Sequence, residues 1–524
     1  MLGDLLCSTV SRGIGMLYEN INDAATHPSM TTQLCSDSLG PDYFKDSTGY
    51  HGMIFGPNVS EISGEFNQLA IEFKNASLLE YAANIVGFSH GFGVGWLSSA
   101  VPALKAEDTP LESGPLSLQQ ESWLGGSYPL GALLDRNDGV GFSEPSSVTN
   151  IIRKVVSPLE IFWLSVLLSK SYTGVVVGRF IGGLSGGGIL LCIPLFVAEV
   201  ASKEIRGFLG LMSPLSIAVG VLVSYICAAF VHYNFMPYCI VGFPVLFLLV
   251  MCVIPETPHT LIRQKKLEKA EQSLKFYNNG NRTDDNVYNV KEESAKLQLL
   301  VRKKQEEKKK HCYTMILQGD SLKKVFIGIS LVALSVCSGI IVVTMNVVKL
   351  ILDSGSKMNP HVSAIIVGVL QVCGICVSSV LVDKIGRKVL FGVSSLLSAL
   401  SLIVFGTFSF LNQKGVNLSS VDWLPVLSLS FYIFVNCIGL RTVPFLYIAE
   451  ILPYNVRQTG VAICMIAMSS FAFLTVFTKP ILQDAFDLHV VIWIYAGVCV
   501  VGFFFSIFVM VETKGKNLNK VQEK

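Results

Sequence analysis

Charged residues are scarce in this chain of 524 residues. Asp, Glu, Lys and Arg make up 15% of it, and the net charge is only +2. A protein that binds nucleic acid needs a basic surface to neutralise phosphates, so this composition excludes that class. His, Cys and Asp also do not cluster in the spacings of a nucleophilic or metal-binding site. The sequence therefore predicts no enzyme, no metal and no other cofactor.

Patterned cysteine is also lacking. The thirteen cysteines are scattered, mostly inside apolar stretches. Cys373 and Cys376 form one Cys-x-x-Cys pair without a second pair, so we interpret them as packed small residues.

The first 20 residues have no continuous apolar run of the kind that marks a secretory signal. The polar sequence up to residue 79 is typical of a disordered extension.

Apolar residues, by contrast, are abundant and make up 51% of the chain, as in a membrane protein. No charge occurs between Phe180 and Ala198, a stretch that can cross a bilayer. Beside it, Gly178, Gly182 and Gly186 recur every four residues on one helical face. Small residues there let a neighbouring helix approach closely. This stretch could therefore be a functional motif or only a plain packed membrane helix.

A repeat distinguishes the two explanations. Glu199 and Arg206 are seven residues apart, and so are Glu450 and Arg457 in a second copy 251 residues later. Seven residues make about two helical turns, so each pair can share one side of a helix end. Repetition over half a chain is typical of a transporter that is built from two halves.

These residues belong to an ordered set of motifs. The set comprises Gly178-Arg179, Glu199, Arg206-Gly207, Pro255-Glu256-Thr257-Pro258, Asp383-Lys384-Ile385-Gly386-Arg387-Lys388, Glu450, Arg457 and Glu512-Thr513-Lys514-Gly515. With it the chain resembles the sugar-porter family of the major facilitator superfamily, most closely insect facilitated trehalose transporter-like proteins. The resemblance covers roughly residues 80 to 520. It implies an all-α membrane protein with the major facilitator fold, two six-helix halves and cytosolic helices between them.

The resemblance also implies an organisation along the chain. We expect a polar cytosolic extension (1–79), an N-terminal transmembrane half (80–254), a cytosolic linker with short helices (255–322), a C-terminal transmembrane half (323–511) and a cytosolic tail (512–524). Lys and Arg crowd the ends assigned to the cytosol, which agrees with the positive-inside rule. We therefore expect a multi-pass protein of the plasma membrane with both termini in the cytosol. Asn417, in an Asn-Leu-Ser sequon on the outer side, is the glycosylation candidate.

The second span departs from this pattern. Its apolar run from Trp123 to Leu134 is about 12 residues long, against about 20 for a helix that crosses the bilayer. Asp135 and Arg136 follow at once, and the family's basic loop is missing. We expect that the second helix is truncated. A tilted or re-entrant crossing would accommodate it, and a native transcript with about ten more apolar residues near Ala132 is the favoured explanation.

Charges at the cytosolic helix ends are interpreted as a gate that the resemblance implies. Its candidate residues are Arg179, Glu199, Arg206, Glu256, Asp383, Arg387, Lys388, Glu450 and Arg457. Exposed ion pairs are worth only about 0 to 1 kcal/mol each, which suits a network that must break in every cycle. These residues could instead be topological anchors only.

The predicted solute site is less complete. Where sugar porters carry glutamine, asparagine and tryptophan, this chain has mostly apolar or small residues. Cys437 stands at a glutamate position and Arg441 at a glycine, and the charge of Arg441 must find a partner or water. The candidate binding residues are Gln371, Ser335, Ser338, Phe445, Trp96 and His90. His90 could equally be a hydrogen-bonded histidine that faces the bundle.

Two functions follow from these features. The chain is either a facilitated, alternating-access carrier for a small solute, a sugar such as trehalose or a hexose, or a non-transporting homologue that acts as a sensor or scaffold. The first span carries no carboxylate, which favours passive transport over proton coupling. The expected partners are the solute and the lipid bilayer.

Overall fold

Helices form the whole regular structure of the described residues, and no strand occurs among them. The computed structural model describes residues 84–139, 148–200, 206–253, 256, 258–264, 266–277, 319–453 and 456–514. The predicted extension at 1–79 and residues 278–318 of the predicted linker lie outside this part. Because a helix bonds its own backbone groups internally, it is the element that an apolar chain of this kind can place in lipid.

Six helices make up the described first half. They are α1 (84–105), α2 (Leu118–Gly139), α3 (Val148–Leu168), α4 (Tyr172–Val200), α5 (Arg206–Phe230) and α6 (Gly242–Val253). A 3-10 turn at Tyr233–Cys239 leads into α6. Two short helices follow, α7 (Pro258–Arg263) and α8 (Leu267–Tyr277), where the sequence predicts short linker helices.

The second half contains α9 (Gly319–Cys337), α10 (Ile340–Ser354), α11 (Pro360–Ile385), α12 (Arg387–Gln413), α13 (Leu424–Ile438), α14 (Val443–Ile451) and α15 (Arg457–Phe508). Helix α15 breaks at Asp487, whose φ is 65° and ψ 165°, so it makes two passes. The pairs α9–α10 and α13–α14 are each one pass with a break in the middle. By length and composition, six segments of the described residues can cross a membrane, and all but one lie in this half.

Helix α2 is held by close backbone contact with α4. A side chain at Gly131 would collide with the Phe180 carbonyl oxygen, and one at Gly183 would collide with the Tyr128 carbonyl oxygen. The helix has 22 residues and continues past Leu134 to Gly139, although its apolar run ends at Leu134. The missing apolar residues near Ala132 therefore stay a prediction.

Close helix packing joins the described parts of the two halves at two places. At the first, Trp123 and Gly126 of α2 pack on α15, with the Trp123 and Phe477 rings 5.0 Å apart. At the second, Gly368 of α11 lies against Tyr225 of α5, whose hydroxyl donates to the Thr344 carbonyl of α10 at 2.5 Å. Both contacts use small residues for close approach, as membrane helices do.

Candidate functional site

The first group of charges lies where α11, α14 and α15 end and α12 begins. We call Asp383, Arg387, Glu450, Glu512 and Thr513 the Glu450 cluster. Arg387 donates to one oxygen of Glu450 from Nε at 3.1 Å and from Nη2 at 2.9 Å, and it pairs with Asp383 at 3.2 Å. Thr513 donates to the other Glu450 oxygen at 2.6 Å. Asp383 is 75% exposed, so its pair is the weaker one.

Glu512 caps α12. Its two oxygens accept from the backbone N–H groups of Arg387 at 3.0 Å and Lys388 at 3.1 Å. Gly386, with φ at 101°, brings the chain so close that any side chain there would meet the Glu512 carboxylate. Burial alone would raise the pKa of Glu512, but hydrogen bonds from the backbone of Lys514, Arg387, Lys388 and Thr513 outweigh it and lower the pKa. A carboxylate at a helix N-terminus is also favoured by the helix dipole.

Two other predicted gate residues, Arg457 and Lys388, do not bond Glu450 with their side chains. Arg457 donates to the Leu452 carbonyl at 3.4 Å rather than to Glu450. The Nζ of Lys388 donates to the Ile507 carbonyl at 2.9 Å, and the Glu256 carbonyl accepts from Ser273 at 2.5 Å. The side chains of Glu199 and Arg206 lie outside the part that the structure describes.

Arg179 lies in the core of the first half instead of at a helix end. It is fully buried and donates to the carbonyls of Leu124 at 2.8 Å and Gly93 at 3.4 Å. It precedes Glu199 by 20 residues of the same helix, or about 30 Å. The structure therefore does not bring Arg179 to the other gate candidates.

Aromatic rings surround Arg179, and two solute-site candidates belong to this group. The guanidinium carbon lies 5.4 Å from the Trp96 ring centre and 5.1 Å from that of Tyr128. The Tyr128 hydroxyl is 2.7 Å from His90 Nδ1. Trp96 is fully buried and His90 is 8% exposed. We interpret this group as a cation–π and hydrogen-bond core of the first half.

Polar groups gather where α9–α10 breaks. Ser338 donates to the Ser335 carbonyl at 2.6 Å, and its own carbonyl accepts from Tyr432 at 2.9 Å. Asn436 Nδ2 donates to Ser338 Oγ at 3.3 Å, while Asn436 Oδ1 is buried without a described partner. We call Ser335, Ser338, Tyr432 and Asn436 the Ser338 cluster. It joins two broken helices near their middles, where transporters bind solutes.

Gln371 lies on α11 between two close contacts. One helical turn before it, Gly368 meets Tyr225, and one turn after it, Gly374 meets the Phe434 carbonyl and Cys437. Gln371 is 1% exposed, and neither atom of its amide has a hydrogen-bond partner among the described residues. Such a group costs free energy unless a ligand or water satisfies it. Phe445 is 38% exposed on α14.

A second group of charges joins the two halves. We call Lys105, Glu121, Lys349 and Lys479 the Glu121 cluster. Glu121 of α2, which is 3% exposed, pairs with Lys105 at 2.8 Å and with Lys349 of α10, 228 residues away. Lys479 of α15 is 1% exposed, and its Nζ has no described hydrogen-bond partner. Glu121, Lys479 and Asn346 line one small cavity.

The two charge clusters lie at opposite ends of the bundle. Helix α10 ends five residues after Lys349, and α11 then runs 26 residues, about 39 Å, to the Glu450 cluster. The described partners of the Glu450 cluster are all in the second half, whereas the Glu121 cluster joins both halves. In this structure ion pairs therefore close the end of the bundle that holds Glu121.

Sequence reasoning missed the Glu121 cluster and two members of the Ser338 cluster, Tyr432 and Asn436. Lys349, at one end of a predicted span, is a weak signal. Glu121 comes just before the second apolar run, and Asn436 and Tyr432 lie inside the apolar stretch that forms α13. An ionisable or amide group inside a span is a functional candidate by default, which is the signal that could have found them.

Known proteins similar to this chain share its architecture. The xylose transporter XylE from E. coli in its inward-open conformation superposes with a TM-score of 0.68 at 20% identity, over 86% of this chain and 99% of that one. XylE with bound 6-bromo-6-deoxy-D-glucose gives a TM-score of 0.66 at 21% identity, with the same two shares covered. The predicted all-α major facilitator fold is thereby confirmed.

Curated relatives are similar over most of the chain. The facilitated trehalose transporter Tret1 of Drosophila virilis is 29% identical over 434 residues, which are 83% of this chain and 47% of the relative. The chain thus spans about half the length of that relative. Tret1 of Bombyx mori is 26% identical over 447 residues, 85% of this chain and 86% of the relative.

The family model described as "Sugar (and other) transporter" matches residues 150–524, well over half of the chain. The match includes the Glu450 cluster, the Ser338 cluster and the Lys349 and Lys479 side of the Glu121 cluster. The chain therefore belongs to the sugar transporter family, as its motifs predict.

Proposed function

We propose that the chain is a carrier that moves a small sugar across the plasma membrane by facilitated alternating access. Membership of the sugar transporter family supports this, and several similar proteins bear the name of trehalose transporters. Trehalose and neutral hexoses are therefore the first solutes to test. No described feature favours the alternative of a non-transporting sensor or scaffold.

The observation that carries the proposal is the ion pair between Glu121 of the first half and Lys349 of the second. A carrier of this fold must open one end of its bundle while the other stays closed. The Glu121 cluster closes one end through contacts between the halves, and those contacts must break before that end opens. A passive scaffold needs no such breakable closure.

The proposal assigns the Glu450 end to the cytosol and the Glu121 end to the outside. The basic residues Lys384 to Lys388 at the Glu450 end support this, because positive charge is retained inside. Asn417 supports it too, since it is exposed and follows α12 at the end remote from Glu450. Both termini are then cytosolic, and the transmembrane halves are 80–254 and 323–511 as the sequence predicts.

Sugar hydroxyls would bind between the halves, beside the Ser338 cluster. Gln371 offers a free amide donor and acceptor, and Asn436 offers a free acceptor oxygen. A hydroxyl group that bonds both removes the cost of leaving buried amides unpaired. Ser335 and Ser338 shape this wall, and Phe445 provides an apolar surface for the sugar ring.

The gate role is proposed for the charged helix ends. Asp383, Arg387, Lys388 and Glu450 hold the helix ends of the second half together, and Glu512 fixes the start of α12. The remaining gate candidates, Glu199, Arg206, Glu256 and Arg457, would join them in the state that is closed at the cytosolic end. Each such contact is weak enough to break in every cycle.

Uptake by the full chain in proteoliposomes tests the proposal. Purified protein should take up radiolabelled trehalose or glucose with saturation, and preloaded unlabelled sugar should accelerate the entry of label by exchange. Glu121→Gln should change the rate, while Glu112→Gln, at an exposed carboxylate outside both clusters, should not. Uptake no faster than into protein-free liposomes, for every sugar tested, would favour the non-transporting alternative.

A further inference from the structure

The break between α13 and α14 carries an arginine. Helix α13 ends at Ile438 and α14 begins at Val443. Gly439, at the break, packs so closely on α12 that a side chain there would lie 2.5 Å from the Leu390 carbonyl oxygen. The backbone N–H of Arg441 donates to the Asn436 carbonyl at 2.9 Å. The chain is thus fixed at this point, and the Arg441 side chain starts from the middle of a span.

Arg441 has no acidic partner among the described residues. Arg441 Nη1 donates to the thiol sulfur of Cys437 at 4.0 Å, and the guanidinium interacts electrostatically with Tyr225 of the first half. The side chain is neither fully buried nor exposed. A guanidinium stays charged, and a charge near the middle of a membrane protein is retained where it meets a counter-ion, water or a substrate.

The unpaired amide of Gln371 lies in the same region. The helical turn that follows Gln371 touches Cys437, whose thiol Arg441 contacts, and the turn that precedes it touches Tyr225, with which Arg441 interacts electrostatically. Among the described residues, the wall between the halves therefore combines a positive charge without an acidic partner and a buried amide without a hydrogen-bond partner. A neutral sugar would satisfy the amide but leave the charge unbalanced.

We propose that the solute of this carrier is a monoanionic sugar acid, whose carboxylate pairs with Arg441 and whose hydroxyls bond Gln371 and Asn436. The inference rests on the proposed transport function and names its substrate class. Arginine matches a carboxylate with two parallel hydrogen bonds, which lysine cannot do. One arginine balances one negative charge, whereas a phosphate group carries about −1.5 to −2 at neutral pH.

The test compares three probes of similar shape in proteoliposomes: D-glucuronate, D-glucose and glucose 6-phosphate. We expect the full chain to take up glucuronate at least tenfold faster than either of the others. Arg441→Gly should abolish this preference, because it removes the charge and keeps space at the break. Arg441→Lys should lie between the two, and Lys414→Gln, at an exposed lysine after α12, should match the unmodified chain.

Charge movement provides a second readout that folding alone would not change. Uptake of a monoanion without a coupled ion transfers one negative charge, so a potential that is positive inside the vesicles should accelerate glucuronate uptake and leave glucose uptake unchanged. Glucose uptake without glucuronate uptake would overturn the inference and leave the transport function standing. Uptake of no probe at all would overturn both.

Discussion

Replacing Glu121 by glutamine should open the outer end of the bundle. The carboxylate is 3% exposed and holds Lys105 and Lys349, whose side chains are 36% and 14% exposed. Glutamine has nearly the same shape, so the packing of α2 against α4 and α15 should survive. The substitution removes the charge that neutralises two lysines, and the pairing with Lys349 exists only in the state where the halves meet.

The size of the effect follows from burial. Removing one partner of a buried ion pair costs about 3 to 5 kcal/mol. Lys105 can turn to water, so the lower end of that range applies, about 3 kcal/mol. Because 1.4 kcal/mol is a factor of ten in an equilibrium constant, the ratio of closed to open protein at the outer end should fall about 100-fold.

Labelling of an introduced cysteine measures that ratio. Val476 is 4% exposed and lines the cavity beside Glu121, so Val476→Cys should react with a membrane-impermeant maleimide only when the outer end opens. Glu121→Gln should raise the outside labelling rate by up to about 100-fold over the same chain with Glu112→Gln. The parent without Val476→Cys corrects for the thirteen native cysteines. Equal rates in the two variants would show that the ion pairs do not hold the outer end closed.

Four further outcomes are expected. Glu450→Gln should lower uptake about tenfold at unchanged surface expression, since Arg387 loses a charged hydrogen-bond partner, whereas Asp383→Asn should have little effect; equal loss in both would contradict this. Uptake should be unchanged when a proton gradient is collapsed, because the first span has no carboxylate; a fall would make His90 a proton site. Glu512→Gln should lower the melting temperature at pH 7. This difference should shrink as the pH falls below the ordinary pKa of a glutamate and should vanish below the lowered pKa of Glu512 in the folded protein, because the stabilisation is lost as the carboxylate protonates. Endoglycosidase should shift the size of the expressed protein but not that of Asn417→Gln; no shift would leave this sequon unmodified.

The part of the Glu450 cluster that could be predicted rests on local information, whereas the Arg387–Glu450 pair joins residues 63 positions apart. Asp383 and Arg387 are one helical turn apart, and helix ends at a membrane surface come together wherever successive spans are of similar length. Hydrophobic length likewise predicts the spans of the second half, which the helices α9 to α15 occupy. These features need no knowledge of which helix packs on which.

The Glu121 cluster could not be predicted for the opposite reason. Glu121 and Lys349 are 228 residues apart, and only the packing of α2 and α10 across the two halves brings them together. The prediction for Arg179 has a different weakness. Its motif suggested a gate residue, but helix length places it about 30 Å from Glu199. Counting the rise along α4 would have corrected that prediction.

The glycine contacts between α2 and α4 bear on how a short apolar run can be tolerated. Every residue of α2 from Leu124 to Pro129 is buried. Protein rather than lipid covers this part of the helix, because α4 and α15 enclose it. The surroundings of such a helix are the side chains of neighbouring helices and not lipid. The usual length requirement applies to helices that lipid surrounds, so it binds α2 less strictly than the exposed helices of the second half. Cutting the apolar run of a less enclosed helix such as α11, whose apolar window is 39% buried, to the length found in α2 should therefore be far more damaging to membrane insertion than the short run is in α2 itself.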